Sequence, residues 1–177
     1  MVPTMKTTFV LTVIGPDRPG IVNALSAILK QHNANWLDSR MANLAGEFAG
    51  ILHASVDDKN YSELLRDLNQ LTDSNLQLLI KPVSVDQAYK VEYRKAELEV
   101  VGTDREGIVK DITLALTHFD INVEELTTER SDAPMSSEPL FKAHARLTIA
   151  RNVDLDLVQE EIEKIANDLI TEFRVSL

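Results

Sequence analysis

The ten residues Val13-Ile14-Gly15-Pro16-Asp17-Arg18-Pro19-Gly20-Ile21-Val22 return as Val100-Val101-Gly102-Thr103-Asp104-Arg105-Glu106-Gly107-Ile108-Val109, each displaced by 87 positions. A chain that repeats itself at this interval folds as two similar units, because every copy must bury its own apolar face. In each copy a β-rich stretch runs into Gly-x-Asp-Arg-x-Gly and then a helical pattern, so a helix N-terminus with unpaired N–H groups is expected twice. The chain has 177 residues, which gives each unit about 85–90, a size at which a domain buries only a modest core. The expected division is residues 1–83, a linker at 84–94, and residues 95–177.

Apolar spacing sets the order of elements inside a copy. Thr8–Ile14 alternates as a strand, with Phe9, Leu11 and Val13 on one face, and Ile21, Val22, Leu25, Ile28 and Leu29 then recur at helical spacing. Pro19 suits a first helical turn and Asn33 a left-handed cap. Strands follow at Asn35–Met41 and Phe48–Val56, joined by a hairpin at Asn43-Leu44-Ala45-Gly46. A helix from Tyr61 to Thr72, with Asn60 and Glu63 at capping-box spacing, precedes a strand at Leu76–Lys81. The second copy repeats the order: a strand to Val101, a helix Ile108–Phe119, strands Asn122–Glu129 and Phe141–Ala150, a helix Asp154–Asp168, and a strand Phe173–Leu177. Phe48 matches Phe141 at a displacement of 93, so the second copy has gained six residues, placed in the Ser/Pro-rich stretch Ser131–Pro139, a surface insertion or a partner-contact loop. Each βαββαβ unit implies an α+β fold, a ferredoxin-like four-stranded antiparallel sheet with two helices on one face.

Composition removes several classes of function. The formal charge is −10, unevenly divided: residues 1–90 hold 8 Lys and Arg against 9 Asp and Glu, and residues 91–177 hold 10 against 19. Net charges of −1 and −9 oppose the counterion release that drives nucleic-acid binding, so no direct DNA contact is expected. Cysteine is absent, which excludes disulfides and thiolate chemistry. The apolar stretch Phe9–Ile14 is too short for a signal peptide, and nothing approaches the roughly 20 apolar residues of a membrane span. A soluble, cytoplasmic protein is expected. His32, His53, His118 and His144 lack metal-ligand spacing, and no metal or cofactor is implied. No Cys nucleophile, no paired His and carboxylate motif and no Gly-rich P-loop is present, and no enzymatic activity is expected.

The repeated turn carries the chemistry. Gly15 and Gly20 allow a sharp turn and close approach of a ligand, while the N–H groups at Gly20 and Ile21 sit at the positive end of a helix dipole, where a carboxylate fits. An ammonium group needs an acceptor, and Asp17 or the amide oxygen of Asn35 supplies one. A turn without a ligand explains the same residues: Asp17 and Asp104 then cap their helices, and Arg18 and Arg105 pair with neighbouring carboxylates. Glu106 in place of Pro19 competes with a ligand carboxylate for the helix field, so the copies are expected to differ and ligand binding to depend more on the first. Trp36 either shields a ligand or packs in the core. The run Gln159-Glu160-Glu161-Ile162-Glu163-Lys164 is a solvated helix face or an acidic docking surface.

Gly-Pro-Asp-Arg-Pro-Gly-Ile-Val at the head of a βαββαβ unit resembles the amino-acid-sensing ACT domain, and the resemblance covers nearly the whole chain twice. It implies a ligand site at Asp17, Arg18, Pro19, Gly20 and Ile21, with its counterpart at Asp104, Arg105, Gly107 and Ile108. Asn35 and Asn122 match the place where such sites hold a ligand-binding Asn. A two-copy member without a catalytic domain is similar to repressors of glycine cleavage genes. That likeness implies an amino-acid ligand, glycine favoured, and contact with a LysR-type transcriptional activator in place of DNA, with a homodimer as one possible assembly. The other reading is a regulatory subunit of a metabolic enzyme.

Overall fold

The computed structural model describes residues 5–83, 93–132 and 139–175. The chain divides into two compact units, Met1–Gln87 and Ala88–Leu177. The expected linker at 84–94 falls almost entirely outside the described residues; Tyr93 and Arg94 already belong to a strand.

The first unit runs β1 (Lys6–Pro16), α1 (Ile21–Gln31), β2 (Asn35–Leu44), β3 (Glu47–Asp57), α2 (Asp58–Gln70), a 3-10 turn (Leu71–Ser74) and β4 (Gln77–Pro82). The second repeats it as β5 (Tyr93–Thr103), α3 (Ile108–His118), β6 (Asn122–Asp132), β7 (Pro139–Ala150), α4 (Leu155–Ile165) and β8 (Leu169–Val175). Both sheets are antiparallel, ordered β2-β3-β1-β4 and β6-β7-β5-β8. Two ferredoxin-like units therefore follow one another in the α+β class.

Alternation explains the layers. Phe9, Leu11 and Val13 are fully buried and meet Ile21, Leu25 and Leu29 of α1 and Leu64 and Leu68 of α2 in one core. Leu98, Val100, Ile108, Ile112, Leu116, Val158 and Ile162 make the second core in the same way. The copies share small irregularities too. Leu37 and Glu124 are the extra residues of equivalent β-bulges. Asn33 and Asp120, both with φ near 54°, end α1 and α3 in the left-handed conformation.

Several local expectations need correction. Pro19 and Glu106 lie ahead of the helices, since the residues that precede α1 and α3 are Gly20 and Gly107, with φ of 97° and 86°. Only glycine enters that conformation without strain, which delays each helix by a residue or two. Asn60 is inside α2 and caps nothing; its amide donates 3.1 Å to the His32 carbonyl, tying α2 to the end of α1. His32 itself is buried, its Nε2 2.8 Å from Asp67 Oδ2. The fourth helix stops at Ile165 and β8 starts at Leu169, ahead of the expected Phe173, because Leu169 turns into the core against Gly102. Trp36 packs against the first core and its Nε1 donates to Ser39 Oγ at 3.3 Å. The Ser131–Pro139 stretch is described only at its ends, where Ser131 and Asp132 pair with Leu140 and Pro139 to prolong the hairpin.

Candidate functional site

Each Gly-x-Asp-Arg-x-Gly turn is built by two glycines with different tasks. Gly15 and Gly102 sit inside β1 and β5, where a Cβ would lie 2.7 Å from the Asn75 carbonyl in one copy and 2.8 Å from the Asp168 carbonyl in the other. They allow the chain entering β4 or β8 to cross close by. Gly20 and Gly107 have open space where a Cβ would be and are required by their positive φ alone. The first helical bonds run from Ala24 N to the Gly20 carbonyl, 2.8 Å, and from Asp111 N to the Gly107 carbonyl, 3.0 Å. The N–H groups ahead of them have no helical partner, and no side chain caps either helix.

The aspartates do not cap; they anchor. Asp17 N donates 2.9 Å to the Gly46 carbonyl and its carboxylate accepts from Asn43 Nδ2, which fastens the turn to the β2–β3 hairpin. Asp104 N donates 2.8 Å to the Pro139 carbonyl, and Arg130, the residue matched to Asn43, donates 2.7 Å to its carboxylate. In the first copy that hairpin closes through Ala45 and Gly46, with φ of 53° and 85°, a two-residue turn of the I′ kind.

The arginines separate the copies. Arg105 donates through Nε to Asp168 Oδ2 at 2.9 Å and through Nη1 to Asp111 Oδ2 at 2.8 Å. Its hydrogen bonds to Asp168 and then Asp111 raise its pKa, and in return the Arg105 hydrogen bond holds Asp168 below the usual carboxylate range. In the first copy the matched positions are Asn75 and Ala24. Among the described residues Arg18, exposed beside Gly20, has no carboxylate partner. The pairing expected as an alternative for both arginines is present in the second copy only.

Asn35 and Asn122 are exposed first residues of β2 and β6. Register places them far from the turns. Asn35 is opposite Ser55 and Ser55 opposite Thr8, whereas Pro16 is opposite Glu47, at the other end of the ladder. Eight residues of strand separate Thr8 from Pro16, roughly 27 Å at about 3.4 Å per residue. A single copy offers a small ligand either the turn or the asparagine. Nothing in a single sequence signals the Asp17–Asn43 or Arg105–Asp168 contacts, which cross 26 and 63 residues.

Among the described residues no group of His, Asp and Glu is arranged to hold a metal ion, and no helix is long and apolar enough to cross a membrane.

Two family profiles, each described as an ACT domain, match residues 7–81 and 91–167. The chain is 26% identical over 164 residues to the glycine cleavage system transcriptional repressor of Escherichia coli, a match covering 92% of this chain and 84% of that protein. A shorter stretch of 56 residues is 41% identical to the UPF0237 protein of Methanopyrus kandleri, covering 32% of this chain and 62% of that one. Among solved structures, a protein of unknown function from Galdieria sulphuraria superposes with a TM-score of 0.86 at 29% identity, covering 98% of this chain and all of that one. A structure assigned as a glycine cleavage system transcriptional repressor gives a TM-score of 0.66 at 22% identity, covering 97% and 98% of the two chains. With one profile on each unit, joined end to end in a single polypeptide, the chain belongs to the ACT-domain family and carries two such domains in tandem.

Proposed function

We propose that this protein is an amino-acid-responsive regulator that represses glycine cleavage genes by contacting a DNA-bound activator of the LysR type. The observation that carries the ligand part is Arg18: a guanidinium without a carboxylate partner among the described residues, next to uncapped helix N–H groups, is placed to take the carboxylate of a small amino acid. In this reading Asp17, Arg18, Pro19, Gly20 and Ile21 receive the ligand. Asp104, Arg105, Gly107 and Ile108 form the weaker counterpart, because Asp111 and Asp168 already occupy its arginine. Asn35, and Asn122 by analogy, serve a ligand only from a second protomer of a homodimer, since each is remote from the turn of its own copy. The regulatory role rests on full-length similarity to the Escherichia coli repressor and on the net charge of −10, which disfavours direct contact with nucleic acid.

Glycine has so few atoms that, at a ceiling of about −1.5 kcal/mol per heavy atom, its dissociation constant reaches a few micromolar at best. Calorimetry is expected to give a value between about 10 μM and 1 mM for glycine. Arg18→Gln is expected to weaken it by about tenfold, the worth of one hydrogen bond to a charged group, and Arg105→Gln to leave it within about twofold. Failure of every amino acid to bind, or equal losses at both arginines, refutes the ligand assignment. Repression is tested separately by adding the protein to a complex of the activator with its promoter, with and without glycine; no ternary complex under either condition refutes that part. Capture of a metabolic enzyme in place of the activator points to the regulatory-subunit role.

A further inference from the structure

The sheet surface turned away from the helices differs between the two units. In the first, the central row crosses β3, β1 and β4 as Ile51, Thr12 and Leu79. Ile14 stands one pair along on β1, opposite Ala49, and Leu44 lies at the hairpin end of the same face. Leu44, Leu79, Ile51 and Ile14 are 74%, 69%, 49% and 45% exposed. Four such side chains leave on the order of 400 Å² of aliphatic surface in water, as large as the biggest patch on an ordinary monomer.

The second unit shows what the same positions look like when adapted to solvent. Thr12, Ile51 and Leu79 are matched by Glu99, His144 and Glu172, again one cross-strand row. These charges are interlocked, with Arg174 3.3 Å from Glu99 and 3.1 Å from Glu172, and His144 3.7 Å from Glu97. Burying that face would strip water from every pair, at a cost its Coulomb attraction does not repay. The central row is charged on one face and aliphatic on the other, although Ile170, opposite Val101, is also 76% exposed on the second.

We propose that the exposed face of the β2-β3-β1-β4 sheet packs on the same face of a second copy of this chain, forming a two-fold symmetric dimer through the first units. Three observations select a second copy as the occupant. The aliphatic area is about half of the roughly 800 Å² that each partner contributes to a standard interface, and the half-buried and exposed residues around it, Val10, Thr12, Ala42 and Ala49, extend it. The face is self-compatible in charge: Asp38, 2.9 Å from His53, and Lys81 stand at opposite ends of one cross-strand row, so a two-fold axis along the strands sets Lys81 of each copy over Asp38 of the other. Contact through this unit, of net −1, also spares the dimer an interface between halves of net −9. Two such sheets stack face to face about 10 Å apart with strands near 30°, and no edge strand is needed.

The test uses the full-length chain and does not depend on any ligand. Sedimentation equilibrium is expected to show a dimer at about 100 μM for the unaltered protein, with association weakened by at least about tenfold in Ile51→Glu and in Leu79→Lys. Thr127→Lys, an exposed change on the face of the second sheet, is expected to leave the dimer intact. Circular dichroism checks that each variant is folded. Because the chain has no cysteine, Thr12→Cys supplies a single thiol at the centre of the proposed contact, and oxidation is expected to yield a covalent dimer. A monomer at that concentration, a dimer that survives both substitutions, or a Thr12→Cys chain that stays monomeric on oxidation overturns the proposal.

Discussion

Alanine placed at the two glycines of the first turn is expected to act by two different mechanisms. At Gly15 the new Cβ would sit 2.7 Å from the Asn75 carbonyl oxygen, 2.8 Å from Leu76 Cδ2 and 3.3 Å from Leu76 Cα. Two of these atoms are backbone, and Leu76 is almost fully buried, so relief requires the lead into β4 to move away from β1. Overpacking of this kind costs about 1–3 kcal/mol. At Gly20 nothing lies within 4 Å of the new Cβ, and the cost is the left-handed backbone alone, φ 97°. That amounts to roughly 1–2 kcal/mol, offset by about 0.4–1 kcal/mol from a less flexible unfolded chain. The same offset applies at Gly15, so Gly15→Ala is the more harmful change by about 0.5 kcal/mol. Urea unfolding of the full chain, followed by the fluorescence of its single tryptophan, Trp36, reports on the first unit. In heating, each kcal/mol corresponds to about 4–8 °C for a unit of this size. A Gly15→Ala protein within about 0.5 kcal/mol of the parent, or a Gly20→Ala protein that is the less stable of the two, refutes the assignment of Gly15 to close backbone approach.

Other perturbations read single contacts. The Arg105 hydrogen bond lowers the Asp168 pKa, so the stability it contributes is present above the ordinary carboxylate range and is lost as pH falls through the depressed folded value. Asp168→Asn is expected to flatten that acid limb of an unfolding-against-pH curve, and an unchanged slope contradicts the pairing. Asp67→Ala leaves the buried His32 ring without its 2.8 Å partner and is expected to cost about 1–3 kcal/mol in chemical unfolding; no loss means that water replaces the carboxylate. The protein alone is expected not to retard duplex DNA at about 150 mM salt, and a retarded band with a salt slope worth several phosphates contradicts that expectation.

The alternation that buries Phe9, Leu11 and Val13 is written locally, as is the left-handed Asn33, so the order of strands and helices is legible from the residues themselves. What is not legible depends on distant partners or on misleading coincidence. Leu169 falls four residues after Ile165 and continues the helical stripe of α4, yet it opens β8, because burial against Gly102 outweighs one more helical turn. Asn60 has the right spacing for a cap but meets the end of α1, an element whose position the spacing does not contain. The residues of the turn are legible as a group, while its inequality between copies arises from Asp111 and Asp168 reaching Arg105 from α3 and from the residue before β8. Glu106, the sequence difference between the copies, enters that contrast through its carbonyl, which accepts 3.3 Å from Arg105 Nη1.

The strand order has a consequence for how the polypeptide is made. β1 and β5 are interior strands, each flanked by partners that are synthesised later, so neither sheet is complete until β4 or β8 has emerged, some 60 residues after β1 or β5 ends. At about 5–20 residues per second the first interior strand waits several seconds, and a nascent duplicate invites exchange between β1 and β5. Divergence of the two copies guards against this error. Were β1 to enter the second sheet, Thr12 would take the place of Glu99 and leave Arg174 with one carboxylate fewer; β5 in the first sheet would set Glu99 between Ile51 and Leu79. Surface charge, spent in the folded protein on salt bridges of little net worth, acts during synthesis as the label that tells one copy's strands from the other's.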